Sequence, residues 1–159
     1  MKLDSIDIKI LATLQREGRI TKVALAEQVH LSPTPCWERL KKMERLGLIQ
    51  GYHATIALKK IASHALFFTE ITLSSHTQKD FQRFENAMTD FPEIMECWAT
   101  GGGVDYMLKI IARDIEFYQA FVDRLLDAGL GIDRYFTYVV TKPVKDSREI
   151  PLEHLLGPL

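Results

Sequence analysis

The chain has 159 residues, 47% hydrophobic and 26% charged, with a formal net charge of −1, the composition of a globular protein able to bury a core as one medium domain or two small ones. No apolar run approaches the ~20 residues that cross a bilayer, and Met1-Lys2-Leu3-Asp4 lacks an apolar signal stretch, so no membrane partner and a cytoplasmic location are expected. The two cysteines, Cys36 and Cys97, are far apart and argue against a disulfide framework.

In chain order, Ile6, Ile10, Leu11 and Leu14 recur at helical spacing, with Asp4 as N-cap, Asp7 in the first turn and Gly18 at the end. A second short helix follows the cap Thr21, with Leu25, Ala26 and Val29 inward. The third runs from about Pro33 to Leu46 after the cap Ser32 and stops at Gly47. Pro33 and Pro35 fall in its first turn, where the backbone N–H groups have no intrahelical partner. Only Val29-His30-Leu31 separates helices two and three from cap to cap, the spacing of a helix-turn-helix. His30 stands where such turns often carry glycine, because the backbone there tends to positive φ, which His tolerates better than most residues. Residues 48–56 read as two short strands turning near Gly51, a wing, followed by a connector over 57–64.

The rest alternates strand and helix. Strands are expected over Ala65–Leu73, Ile94–Thr100, Tyr106–Ala112 and Ile132–Thr141, and helices over Gln78–Asp90, capped by Thr77, and after the cap Asp114. The order β-α-β-β-α-β matches a ferredoxin-like sheet with two helices on one face. The fold class is therefore α+β: a winged helix-turn-helix domain over 1–60, then a ferredoxin-like domain over 61–159 with the C-terminal tail. In Tyr106–Ile111 and Tyr135–Val140 apolar residues fill both alternation phases. Helices cover one face of a four-stranded sheet, so something else must bury the other, either a second copy of the sheet or the tail after Lys142. The second copy, a homodimer, is the favoured reading.

Cys36, Leu40 and Met43 share one face of the third helix and should pack on Leu25, Val29 and Leu31. Thr34, Trp37, Glu38, Lys41, Lys42 and Arg45 then point outward. An outward Trp beside two Lys suits a helix in a major groove, with Lys and Arg on phosphates and Thr or Trp against base edges or thymine methyls. The candidate DNA contacts are Ser32, Thr34, Trp37, Glu38, Arg39, Lys41 and Lys42. Trp37 has the alternative of burial against the wing or a partner subunit, and Arg39 that of an ion pair with Glu44 or Asp4. Charge is consistent with double-stranded DNA as partner: residues 1–60 hold 11 Lys and Arg against 6 Asp and Glu, and the remainder 9 against 15.

An enzyme is not expected. His30, His53, His64, His76 and His154 are scattered without metal-ligand spacing. Gly101-Gly102-Gly103 leads into a strand, so no helix N-terminus faces a phosphate. No catalytic residue, metal or cofactor is anticipated, and a stand-alone effector-binding or RNA-binding module is the alternative.

The run Leu25-Ala26 … Val29-His30-Leu31-Ser32-Pro33-Thr34-Pro35-Cys36-Trp37-Glu38-Arg39-Leu40, then Leu46-Gly47-Leu48-Ile49, resembles the N-terminal domain of the Lrp/AsnC family. These are the leucine-responsive and asparagine-type, or feast/famine, transcriptional regulators of bacteria and archaea. Phe91-Pro92-Glu93, Cys97-Trp98 and Gly102-Gly103-Val104-Asp105-Tyr106 resemble that family's effector domain, so the likeness covers essentially the whole chain. It implies a nucleoid-associated regulator of amino-acid or nitrogen metabolism that dimerises through its C-terminal sheets and assembles further into a tetramer or octamer. It also implies an amino-acid effector bound between dimers near Gly102-Gly103-Val104-Asp105, with Thr100 and Gly101 preceding and Thr137 on the last strand facing it. Glycines let backbone N–H groups approach a carboxylate, and Asp105 can pair with an α-ammonium. Gly101 stands where Thr, Ser or Ala is commoner, and Gly103 and Val104 where an acid and an aromatic are frequent. This looser, less acidic loop points away from leucine or asparagine. A plain hairpin turn is the alternative role for these residues.

Overall fold

The computed structural model describes residues 3–157, which form two compact units, residues up to 55 with 145 onward, and residues 56–144.

In the first unit, helices α1 (Ser5–Arg16), α2 (Lys22–Gln28) and α3 (Pro33–Arg45) follow their sequence signals. Asp4 Oδ1 accepts from the N–H groups of Ile6 and Asp7 at 3.0 and 2.9 Å, while Asp7 Oδ2 accepts from Asp4 N at 3.2 Å. This reciprocal box satisfies orphan donors at the start of α1. Thr21 Oγ1 caps α2 by accepting from Ala24 N at 3.2 Å. His30 takes a φ of +58°, and Leu31 N reaches back to Ala26 O at 2.9 Å, a left-handed closure of α2. Ser32 sits at the N-cap of α3 without a side-chain cap bond. The reason is local: the third helical residue, whose N–H a serine hydroxyl would reach, is Pro35, which has none. Ile10, Leu25, Ala26, Val29, Cys36, Leu40 and Met43 form the buried core, as the helical spacing required.

Two expectations fail here. Among the described residues no strand lies between α3 and the first sheet strand; residues 51–57 are exposed and in no helix or strand, and a short 3-10 turn follows at Leu58–Lys60. A two-stranded hairpin is marginal without a surface to pack on, and Tyr52 instead donates to Glu44 Oε1 at 2.8 Å. Burial and the adjacent anion push that phenol up to about 12. The tail also departs from the expected boundary, since residues 145 onward join the DNA-binding unit. Gln15 Oε1 accepts from Ile150 N at 2.7 Å and its Nε2 donates to Ile150 O at 3.2 Å, and α6 (Leu152–Leu156) packs on α1. A backbone pair answered by one side-chain amide fixes the tail there.

The second unit contains β1 (Ala65–Leu73), α4 (Gln78–Ala87), β2 (Ile94–Ala99), β3 (Tyr106–Ala112), α5 (Ile115–Asp127) and β4 (Ile132–Val139). The strands form one antiparallel sheet ordered β2-β3-β1-β4. Phe67, Thr69, Ile71 and Leu73 of β1 and Tyr106, Leu108 and Ile110 of β3 point to one buried face, packed by Phe84 of α4 and Tyr118, Phe121, Val122 and Leu125 of α5. The one polar group on β1 in that core, Thr69, shares a hydrogen bond with Tyr118 OH at 2.9 Å. The other face carries Leu66, Phe68, Met107, Ile111, Trp98, Phe136 and Tyr138, with Trp98, Phe136 and Tyr138 about half exposed (45%, 51% and 52%). The two-phase apolar pattern thus becomes an open sheet face on which these apolar side chains surround Glu70 and the Lys109–Glu96 ion pair.

The caps predict an acid limit to stability. The backbone N–H of Asp7 and the Arg39 guanidinium hold the Asp4 carboxyl below its usual 3.8, and the Phe117 N–H does the same for Asp114. A depressed folded-state value contributes stability above the unfolded value, which is lost as pH falls through the folded one. Melting temperature is expected to change little from pH 7 to 5 and to fall as pH drops below about 4, and Asp4→Asn should flatten part of that fall in calorimetric scans.

Candidate functional site

The helix-turn-helix presents α3 with Cys36, Leu40 and Met43 buried and Ser32, Thr34, Glu38, Lys41, Lys42 and Arg45 exposed. Among the described residues the Ser32 side chain makes no cap hydrogen bond, and Pro35 removes one of the two N–H groups such a cap would use. Among the described residues Lys41, Lys42 and Arg45 have no carboxylate within 4.0 Å, so their charge faces solvent, as a phosphate-binding surface requires.

Two of the candidate DNA contacts are placed differently from a simple outward reading. Arg39 belongs to the fold: one of its terminal nitrogens lies 2.6 Å from Asp4 Oδ2 and 2.7 Å from Asp7 Oδ1. Asp7 is 3% exposed, and a carboxylate so buried needs a cation beside it, which commits Arg39 to the α1–α3 junction. Glu44, the other partner considered for it, is taken by Tyr52. Trp37 is half-buried against the helical core. Lys22 Nζ of α2 stands 3.3 Å from its ring centroid and Lys41 Nζ 5.1 Å from it. Lys22 escaped the sequence reading; its position directly after the Thr21 cap, on the helix that precedes α3, was the available signal.

In the second unit the β2–β3 loop, residues 100–105, is exposed at Thr100 and Gly101–Gly103. Its ends are closed by Thr100 N donating to Asp105 O at 2.9 Å and the Thr100 hydroxyl donating to Val104 O at 2.6 Å. The N–H groups of Gly101, Gly102 and Gly103 make no backbone hydrogen bond among the described residues. Of the three glycines only Gly102 has a φ, +154°, that other residues rarely adopt, and a Cβ on any of them meets open space. The loop therefore offers unpaired donors beside free volume.

Asp105 is only partly available. Its Oδ2 accepts from Leu73 N at 2.7 Å and lies 3.0 Å from His76 Nε2, while Oδ1 takes part in no hydrogen bond among the described residues. The carboxylate so anchors the end of β1 and leaves one oxygen for a ligand cation. The spacing of His76 in the sequence does not show this contact, which depends on the sheet register that brings the end of β1 beside the start of β3. Thr137 is not brought to the loop. Its strand β4 lies on the far side of β1 from β3, and its hydroxyl bonds Tyr118 OH at 2.5 Å within the chain. The family arrangement that faces Thr137 to the loop is therefore not made inside one protomer.

Among the described residues no group of His, Cys, Asp and Glu could hold a metal ion, and no helix is long and apolar enough to cross a membrane.

Comparison with known proteins places both units. Residues 3–50 match the family model of a winged helix-turn-helix DNA-binding domain, and residues 66–150 that of the Lrp/AsnC ligand binding domain. The chain is 48% identical over 145 residues to the transcriptional regulatory protein DoeX of Halomonas elongata, covering 91% of this chain and 92% of the relative. It is 39% identical over 151 residues to the leucine-responsive regulatory protein of Escherichia coli, covering 95% and 92%. A transcriptional regulator of Neisseria meningitidis, solved as an L-Met complex, superposes with a TM-score of 0.90 at 32% identity over 97% of this chain and 99% of that one. A helix-turn-helix followed by an antiparallel α+β ligand-binding domain, each matched by its family model and together matched by regulators over more than nine-tenths of the chain, has one interpretation: the chain belongs to the Lrp/AsnC family of transcriptional regulators.

Proposed function

We propose that this regulator controls genes of amino-acid or nitrogen metabolism by binding specific duplex sites as a dimer or larger assembly, and that an amino acid bound at residues 100–105 modulates this binding. The observation that carries the reading is the β2–β3 loop itself: unpaired glycine N–H groups lie next to a carboxylate with one free oxygen. Such a pairing suits a zwitterion, whose carboxylate accepts from the amides and whose ammonium meets Asp105 Oδ1. The L-Met in the related structure supports an amino-acid ligand. The open apolar sheet face supports self-association, which brings a second protomer to the loop and supplies the wall that Thr137 does not provide within one chain.

On the DNA side, Lys41 and Lys42 meet phosphates, and Ser32, Thr34 and Glu38 approach the groove from the start of α3. Few of these are strong base readers, so specificity arises largely from how an assembly spaces several such helices along bent DNA. Duplex binding across a salt series tests this: steep salt dependence with retention on one preferred sequence is expected, and equal binding to all sequences would sink it.

An amino-acid panel scored by melting temperature identifies the effector, because a ligand that binds only the folded state must raise it. Asp105→Asn keeps an oxygen for Leu73 N and removes the charge. It is expected to weaken the responding amino acid about 10–100-fold, the usual range for a charge-assisted hydrogen bond of about 1.5–3 kcal/mol, with DNA binding by the unliganded protein unchanged. An unaltered calorimetric titration removes the loop from the effector site.

A further inference from the structure

We infer that Trp37 is a positioning residue for the DNA backbone contact, holding Lys22 of α2 and Lys41 of α3 against its ring so that both ammonium groups meet phosphate. Three observations carry this. Trp37 is half-buried and packs against the helical core, which restricts its ring. The Lys22 ammonium lies 3.3 Å from the ring centroid and that of Lys41 5.1 Å from it. Neither lysine has a carboxylate within 4.0 Å among the described residues.

The geometry bears on what Trp37 can read. A cation seated at van der Waals distance over the ring occupies the place a base or thymine methyl would take, so Lys22 and a stacked base exclude one another. A cation–π contact, unlike a salt bridge, leaves the ammonium charge uncompensated and its N–H donors free. Lysine is a flexible point charge, and ordering it on binding weakens the phosphate contact. A rigid aromatic platform performs that ordering beforehand. Trp37 also links charges from the two helices of the motif, so the lysines act as one cluster on the DNA backbone. Sequence information then rests on Ser32, Thr34 and Glu38 and on DNA shape.

The test uses the full chain, a duplex enriched by this protein from a random pool, and an unrelated duplex of equal length, each across a potassium chloride series. Lys22→Gln is expected to weaken both duplexes by a similar factor, roughly three- to tenfold, and to reduce the slope of log affinity against log salt by about one per bound motif. Trp37→Leu, which keeps apolar volume on the core, should reproduce both changes, Trp37→Phe should restore most of the slope, and the double variant should be no weaker than Trp37→Leu alone. A specificity ratio that drops tenfold or more in Trp37→Leu overturns the inference, because Trp37 then reads bases. An unchanged slope in Lys22→Gln overturns it as well. Lys22 is exposed, so that variant decides the matter even where Trp37→Leu melts early.

Discussion

Arg39→Met is expected to lower the melting temperature of the DNA-binding unit and to abolish binding to every duplex alike. The side chain bridges α1 and α3 at 2.6 Å to Asp4 and 2.7 Å to Asp7, and Asp7 is almost fully buried. Removing the cation leaves a buried carboxylate that, among the described residues, keeps a side-chain hydrogen bond from the Asp4 N–H alone. Arg39 is itself about one-third exposed, so the loss is closer to the about 1–3 kcal/mol of a buried polar group left short of a partner than to that of a fully buried pair. That is still a sizeable share of the roughly 5–15 kcal/mol that stabilises a typical domain. Arg39→Lys should recover part of the loss, since a single terminal nitrogen makes both contacts and an ammonium can supply one such donor atom, though on a shorter stem and without the planar guanidinium. Thermal denaturation followed by far-UV circular dichroism measures this directly. A variant with native stability but a shallower salt dependence of DNA binding would return Arg39 to the phosphate contacts.

The second large effect concerns the open sheet face. Phe136→Glu is expected to turn the protein into a monomer at micromolar concentration and to remove high-affinity binding to duplex sites while leaving each unit folded. Phe136 lies opposite Glu70 in the β1–β4 register, on the face away from the helices, and is 51% exposed beside Tyr138 at 52%. The substitution therefore leaves the core of one protomer intact. In a two-fold assembly each copy brings its own new carboxylate to the same interface, beside Glu70. Burying an unpaired charge between protein surfaces costs about 2–5 kcal/mol, or roughly a 30- to 5,000-fold weaker association. Sedimentation equilibrium reads the mass. A dimer that survives this change does not use this face.

How much of this was legible in the sequence divides by the range of the interactions. The caps at Asp4, Thr21, Thr77 and Asp114, the turn at His30 and the strand alternation all arise from residues within a few positions of each other. Periods of 3.6 and 2, and the hydrogen-bonding habits of Asp and Thr, govern them, so they can be read along the chain. The open apolar face belongs in the same group, because apolar residues in both phases of a strand show that both its faces seek cover.

The residues of the two sites divide otherwise. Which face of α3 points outward followed from the spacing of Cys36, Leu40 and Met43, and the β2–β3 glycine loop from its motif. Arg39 reaching Asp4 across 35 positions, Asp105 reaching Leu73 across 32, and Gln15 gripping Ile150 across 135 were decided by packing. So was the seat of Lys22 on Trp37. A long polar side chain has several partners of similar attraction within reach, and only the three-dimensional placement of burial selects among them, because an unpaired charge is costly in the core and nearly free in water. The pattern of apolar residues along the chain was enough to specify the helix-turn-helix and the sheet, while the choice of which charges serve the fold and which are left for DNA waited on the tertiary structure.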